Sequence, residues 1–233
     1  ATASSNYNLT IRGSSNFNTP LTATPDSLYV WVKFWASNAS SKARVSAILH
    51  GNNDFRDPNN LNDTTLFTAI AEDEFLRTGT TANACTWIQR KIPFRYTGSA
   101  TPQYILLSFT NNATPGGGNA GDSLSIDDIE LIYSAWLTDI KVNNTTISGF
   151  NTATFDYDYV LPRGSNPNLF PTVTYTSEVS DVWDTLLTYS GVNGGVDSAY
   201  SVITVTAEDG VTQKTYRINY SIWKSNDSTL SNI

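Results

Sequence analysis

The chain has 233 residues, room for one large β domain or two ordinary ones with separate cores. Its formal net charge of −7, with 14 scattered lysines and arginines, argues against a nucleic-acid partner, because phosphate neutralisation needs clustered cations. No apolar run approaches the ~20 residues that span a bilayer; the lone Cys85 excludes an internal disulfide and the lone His50 a histidine-rich metal site.

Charged residues make up only 15%, aromatics 12%, and Asn, Ser and Thr fill the polar positions. That mixture suits pleated sheet and turns, since Thr and aromatic rings fit a half-buried sheet while Asn, Asp and Gly fit bends. Methionine is absent and the chain opens on "ATASSNYNLT". It reads as a mature or excised piece of a longer protein.

In chain order, the first strong signal is "SLYVWVKFW". Residues two apart share a strand face, so Val30, Val32 and Phe34 fall on one side and Tyr29, Trp31, Lys33 and Trp35 on the other. With the aliphatic side in a core, the other side becomes a surface of rings around one lysine. "ARVSAIL" follows, with Ala43, Val45, Ala47 and Leu49 aligned. The stretch "LHGNNDFRDPNN" then gathers His50, Asn52, Asn53, Asp54, Arg56 and Asp57, a dense hydrogen-bonding set on a long connection. The acidic run "AEDEF" spreads its carboxylates over both faces of a strand or lies in a turn. "WIQRKIPF" begins with Trp87, expected in the core, and "QYILLSF" gives another strand. "ATPGGGNAGD" lacks the lysine and the strand–helix setting of a phosphate loop and reads as a rim loop. In "SLSIDDIELIY" the apolar positions run Leu124, Ile126, then Ile129, Leu131, and that parity flip predicts a β-bulge at Asp127 and Asp128. Those carboxylates are the candidate ligands of a structural calcium ion, which takes six to eight oxygens.

The pattern restarts at "AWLTDIKVNNTTISGF". "TFDYDYVL" directs Phe155, Tyr157, Tyr159 and Leu161 inward, "PTVTYT" and "YSVITVTA" add strands, and "AEDGVTQ" supplies an Asp-Gly hairpin turn into "KTYRINYSI". A weak helical period covers 181–188. The terminal "TLSNI" echoes "WLTDI" near residue 136, which reads as a tail or the start of a further repeat. The expected fold is therefore all-β: a jelly-roll β-sandwich over 1–135, a smaller immunoglobulin-like sandwich over 136–223, and 224–233 beyond.

The blocks "PDSLYVWVKF", "KARVSAILHGNNDFRDP", "WIQRKIPFRY" and "QYILLSFTNNATPGGGNAGDSLSIDDIELIYS", in that order, resemble a domain family of gut Bacteroidetes named "putative carbohydrate metabolism domain". The later blocks, "LTDIKVNNTTISGFNTATFDYDYVLP" and "ITVTAEDGVTQKTYRINY", are similar to cadherin-like sandwich repeats. The first resemblance implies a galactose-binding-like jelly roll in secreted or lipid-anchored proteins that handle glycans, and it implies no catalytic residues.

Sugars present a C–H patch on one face and hydroxyls around the rim. Flat rings stack on the patch while Lys, Arg, Asn and Asp meet the hydroxyls. The expected carbohydrate-binding residues are accordingly Tyr29, Trp31, Lys33 and Trp35, with His50, Asp54, Arg56 and Asp57 from the loop. The expected partner is a poly- or oligosaccharide met outside the cytoplasm, at the cell surface or in the periplasm. Two other classes stay open: a structural spacer or adhesin segment, and a glycoside hydrolase, which needs two carboxylates ~5–9.5 Å apart across a cleft.

Overall fold

The computed structural model of the chain describes residues 7–166, 169–178, 184–191, 196 and 198–223. The architecture is all-β, and the chain divides into two compact units, Ala1–Tyr133 and Ser134–Ile233. No helix among the described residues is long and apolar enough to cross a membrane.

The first unit contains β1 (Asn8–Thr10), β2 (Ser27–Trp35), β3 (Lys42–His50), β4 (Phe55–Asp57), β5 (Phe67–Leu76), β6 (Ile88–Pro93), β7 (Arg95–Tyr96), β8 (Tyr104–Thr110) and β9 (Ser123–Ile132). One sheet has the order β6-β2-β9 and the other β7-β5-β3-β8, with β1 and β4 forming a short ribbon. All pairings are antiparallel. The chain crosses between sheets from β2 to β3 and back from β5 to β6, which is the winding of a jelly roll.

Alternation decides what lies between the sheets. Leu28, Val30, Val32 and Phe34 of β2 are fully buried and pack with Ala43, Val45, Ala47 and Leu49 of β3 and with Phe75 of β5. Each such large side chain contributes roughly 1.5–3 kcal/mol of transfer free energy. The Phe34 and Phe75 rings meet edge-on at 6.0 Å. The predicted bulge is present: the β2–β9 register shifts between Tyr29 and Trp31, and Asp128 adopts a φ of 47°.

The long connection after β3 is not simply a loop. Its centre, Phe55–Asp57, pairs with β1, and the ribbon so formed accompanies a second apolar cluster of Ile48, Phe55, Phe67 and Ile70 on the other face of the β7-β5-β3-β8 sheet. That burial needs the reverse parity of β3, so this strand reads as buried along almost its whole length.

The second unit contains β10 (Leu137–Val142), β11 (Thr145–Thr146), β12 (Asp156–Leu161), β13 (Val173–Ser177), β14 (Thr185–Tyr189), β15 (Tyr200–Thr206) and β16 (Gln213–Ile222). Its sheets have the orders β11-β10-β13 and β12-β16-β15-β14, with β12 and β16 parallel. Tyr216, Ile218 and Tyr220 of β16 and Ile203 and Val205 of β15 form its interior. The Asp-Gly turn closes β15 onto β16 as expected, with Gly210 at φ 70° and Asp209 accepting from the Val211 and Thr212 amides. The helical period near 181–188 does not yield a helix at 185–189, which form β14 against β15. "TLSNI" lies outside the described residues.

Candidate functional site

Two faces of the first unit merit a chemical reading, and they lie on opposite sheets. On the β6-β2-β9 sheet, Tyr29, Trp31, Lys33 and Trp35 point away from the core and are each half-buried. Directly across the ladders stand Lys91 and Gln89 of β6 and Glu130, Asp127, Ser125 and Ser123 of β9. Paired residues on antiparallel strands share a face, so the rings of β2 are flanked by hydrogen-bonding groups on both sides.

Cations attend two of these rings. The Arg77 guanidinium lies 5.2 Å from the centre of Trp35 and Lys91 Nζ 5.2 Å from that of Tyr29. Both are cation–π contacts, and they hold the rings in place. Among the described residues no cation or second ring stacks on Trp31, and Lys33 has no ion pair. Trp87, expected in the core, is instead 43% exposed. It has the parity of Gln89 and Lys91, and at the sheet's margin no strand beyond β6 covers it.

The loop residues part company. His50 is fully buried, stacked between Phe55 at 5.1 Å and Tyr104 at 5.6 Å. Its Nδ1 lies 3.1 Å from the Gly51 carbonyl, which can only accept, so Nδ1 carries the proton and Nε2 accepts from the Thr10 hydroxyl at 3.0 Å. Burial pushes its pKa down, with the Gly51 carbonyl and Asp54 opposing. His50 is thus a neutral core residue with no face left for a ligand, a correction to its assignment as a sugar contact. Asp57 is corrected likewise: it is 2% exposed and both its oxygens are engaged by Arg44. Asp54 and Arg56 stay at the surface. They border a cavity of about 360 Å³ with Thr10 and Asn60, where Asp54 accepts from the Arg12 amide and Arg56 covers the Tyr7 ring at 4.8 Å.

Asp127 and Asp128 are exposed on the bulge, and Asp127 Oδ1 accepts from the Asp128 amide at 3.0 Å. No third His, Cys, Asp or Glu side chain joins them among the described residues, so the structure supplies two carboxylates where calcium takes six to eight oxygens.

The second face was not anticipated. The outer side of the β7-β5-β3-β8 sheet carries a groove of about 660 Å³. Its floor is two cross-strand rungs, Glu74–Arg44–Thr110 and Glu72–Ser46–Ser108. Tyr7, Asn8 and Pro58 line it from the ribbon side, and Ala113, Pro115 and Gly116 from the "ATPGGG" loop, with Asn112 just before it. Arg44 binds Asp57 through both terminal nitrogens and Glu72 through Nε, and Lys42 pairs with Glu74 at 3.3 Å. Burial works against the Arg44 charge, but Asp57 and Glu72 outweigh it and its pKa rises. The acidic run does divide over two faces: Asp73, on the core side, pairs with Arg90.

No family model matches the chain. It is 34% identical over 92 residues to a gellan lyase from a Bacillus species, a stretch that is 40% of this chain and 4% of the lyase. A crystal structure of a "putative glycoside hydrolase" from Bacteroides thetaiotaomicron superposes with a TM-score of 0.41 at 19% identity, covering 51% of this chain and 40% of that one. The chain therefore spans well under half the length of either protein.

Proposed function

We propose that this chain is a non-catalytic glycan-binding module of a larger, extracytoplasmic carbohydrate-utilisation protein. The observation that carries the reading is the outer face of β2, where Trp31 and Lys33, half-buried and with no stacked ring or ion pair among the described residues, stand between Tyr29 and Trp35, flanked by Gln89, Asp127 and Ser125. An indole face supplies an apolar platform for the C–H patch of a sugar ring, and the flanking groups supply donors and acceptors for its hydroxyls. The sequence resemblance to a Bacteroidetes glycan-handling domain supports the same reading, as does the local similarity to gellan lyase.

Hydrolysis is less well supported. Glu72 and Glu74 are each held by a cation, Arg44 and Lys42, and Asp73 lies on the opposite face against Arg90. A purely structural spacer is the other reading, and it predicts no ligand.

A glycan array of the intact chain tests the proposal. Binding to at least one glycan, weakened tenfold or more in Trp31→Ala and Trp35→Ala proteins that remain folded at the assay temperature, is the expected result. Binding that survives both substitutions removes the ring face as the site, and no binding to any plant, microbial or host glycan leaves the spacer.

A further inference from the structure

We infer that the groove on the opposite sheet is a second sugar site, built for an uncharged saccharide and independent of the ring face. This rests on the glycan-binding reading for the class of ligand, and on the groove itself for its charge selectivity.

The cavity volume, about 660 Å³, lies within the range of small-molecule pockets, roughly 300–1,000 Å³. Its floor is rigid sheet rather than loop, and its side chains are held by partners of their own. Arg44 is clamped by Asp57 and Glu72, Asn8 donates to Ser108 Oγ at 3.0 Å, and Lys42 steadies Glu74. Such groups present fixed donors and acceptors to whatever enters, so little ordering is needed on binding.

Two hydroxyls in this floor are buried without a partner: Ser46 Oγ, between Glu72 and Ser108, and Thr110 Oγ1, beside Arg44. Buried polar groups are nearly always hydrogen-bonded, and leaving one unsatisfied costs stability. Thr110 lines the groove with its Oγ1 just beneath the surface, so a turn of the side chain would present that oxygen to a ligand hydroxyl.

The charge pattern selects the ligand. Lys42 and Arg44 face Asp57, Glu72 and Glu74, so every cation is already matched and one carboxylate is in excess. An anionic sugar would meet net negative charge with no unpaired cation to receive it. A cation would find its carboxylates already occupied. A neutral hydroxyl does better than either, because it donates to a carboxylate oxygen and accepts from an amide or hydroxyl at once. Strand geometry spaces these groups regularly, about 6.6–7 Å along a strand and 4.8 Å between strands, with Asn111 and Asn112 extending the row at the rim.

The experiment is amide and indole chemical-shift mapping of the intact chain with neutral xylohexaose, mannohexaose, galactohexaose and cellohexaose, and with acidic hexagalacturonate. The proposal expects a neutral oligosaccharide to move the Arg44, Glu72, Ser108 and Thr110 amides, and hexagalacturonate to leave them still. Thr110→Val and Glu74→Gln should each weaken that response tenfold or more, with the thermal midpoint of Thr110→Val no lower than that of wild type and with unchanged indole shifts at Trp31 in both. Groove amides that stay still with every neutral sugar, or that respond equally to the acidic one, overturn the second site. In that case indole shifts at Trp31 and Trp35 still report separately on the ring face.

Discussion

Both terminal nitrogens of Arg44 meet both oxygens of Asp57, Nη1 on Oδ2 and Nη2 on Oδ1, each at 2.9 Å. The pair ties β4 to the centre of the sheet, with side-chain exposures of 9% and 1%. Removing Asp57 leaves the buried Arg44 charge with Glu72 as its one remaining partner, and breaking a buried pair costs about 3–5 kcal/mol. Asp57→Ala should therefore lose that much in urea unfolding. The double substitution Arg44→Met with Asp57→Leu should recover part of the loss, since the one carboxylate then left without its cation, Glu72, is partly exposed to water.

Neighbouring residues on β2 face opposite ways, and their truncations should separate cleanly. Phe34→Ala empties a fully buried site and should cost about 3–5 kcal/mol. Trp35→Ala removes a half-buried ring from the outer face and should cost less than half as much, despite its larger side chain. Equal losses in denaturant titrations would mean the outer face is itself packed.

His50 makes stability fall in mild acid. The folded protein holds the ring neutral, with a pKa below the ordinary 6.5, so the unfolded chain binds more protons in that range. Stability is full above 6.5, declines as pH drops below it, and stops declining once the folded-state value is passed. Thermal midpoints measured from pH 7.5 to 5 should show the slope in wild type. A His50→Phe protein keeps the ring stack without a titrating nitrogen and should show a flatter one.

Asp122 acts in the opposite sense, at lower pH. The Asn119 and Ser37 amides donate to its carboxylate at 2.9 and 3.0 Å and hold its pKa below the ordinary 3.8. Its contribution is complete above that value and is lost as pH falls through the folded-state pKa. An Asp122→Asn protein should melt below wild type at neutral pH, and the gap should close towards pH 2.

In the second unit, the Tyr216 hydroxyl donates to the Thr152 carbonyl at 2.9 Å and accepts from the Leu137 amide at 3.1 Å. Tyr216→Phe leaves that buried amide with no acceptor. A loss of about 1–3 kcal/mol is expected in the unfolding of this unit.

Local pattern made much of this legible. The alternation in "SLYVWVKFW" places Val30 and Phe34 inside and Trp31 outside, and the parity flip between Ile126 and Ile129 locates the bulge at Asp127 and Asp128. What stayed hidden depends on partners distant in sequence. Trp87 looks like core until the sheet order leaves β6 at a margin, and His50 looks like a loop ligand until Phe55 and Tyr104 close over it. The groove was least visible of all. Arg44, Glu72 and Thr110 carry no motif; they meet only because β3 is flanked by β5 and β8, and the pairing of Arg44 with Asp57 requires the β4 ribbon to turn back over the sheet.

The strand order of the second unit bears on where such a protein can be cut. β16, the last strand among the described residues, sits between β12 and β15. Until Gln213–Ile222 leaves the ribosome, Asp156–Leu161 has no neighbour in its sheet and the Tyr216 hydroxyl is not there to receive the Leu137 amide. Proteolysis or gene truncation ahead of Gln213 would thus strip the second unit of its interior, not trim its edge, and any fragment meant to keep that unit folded must carry the chain through residue 222.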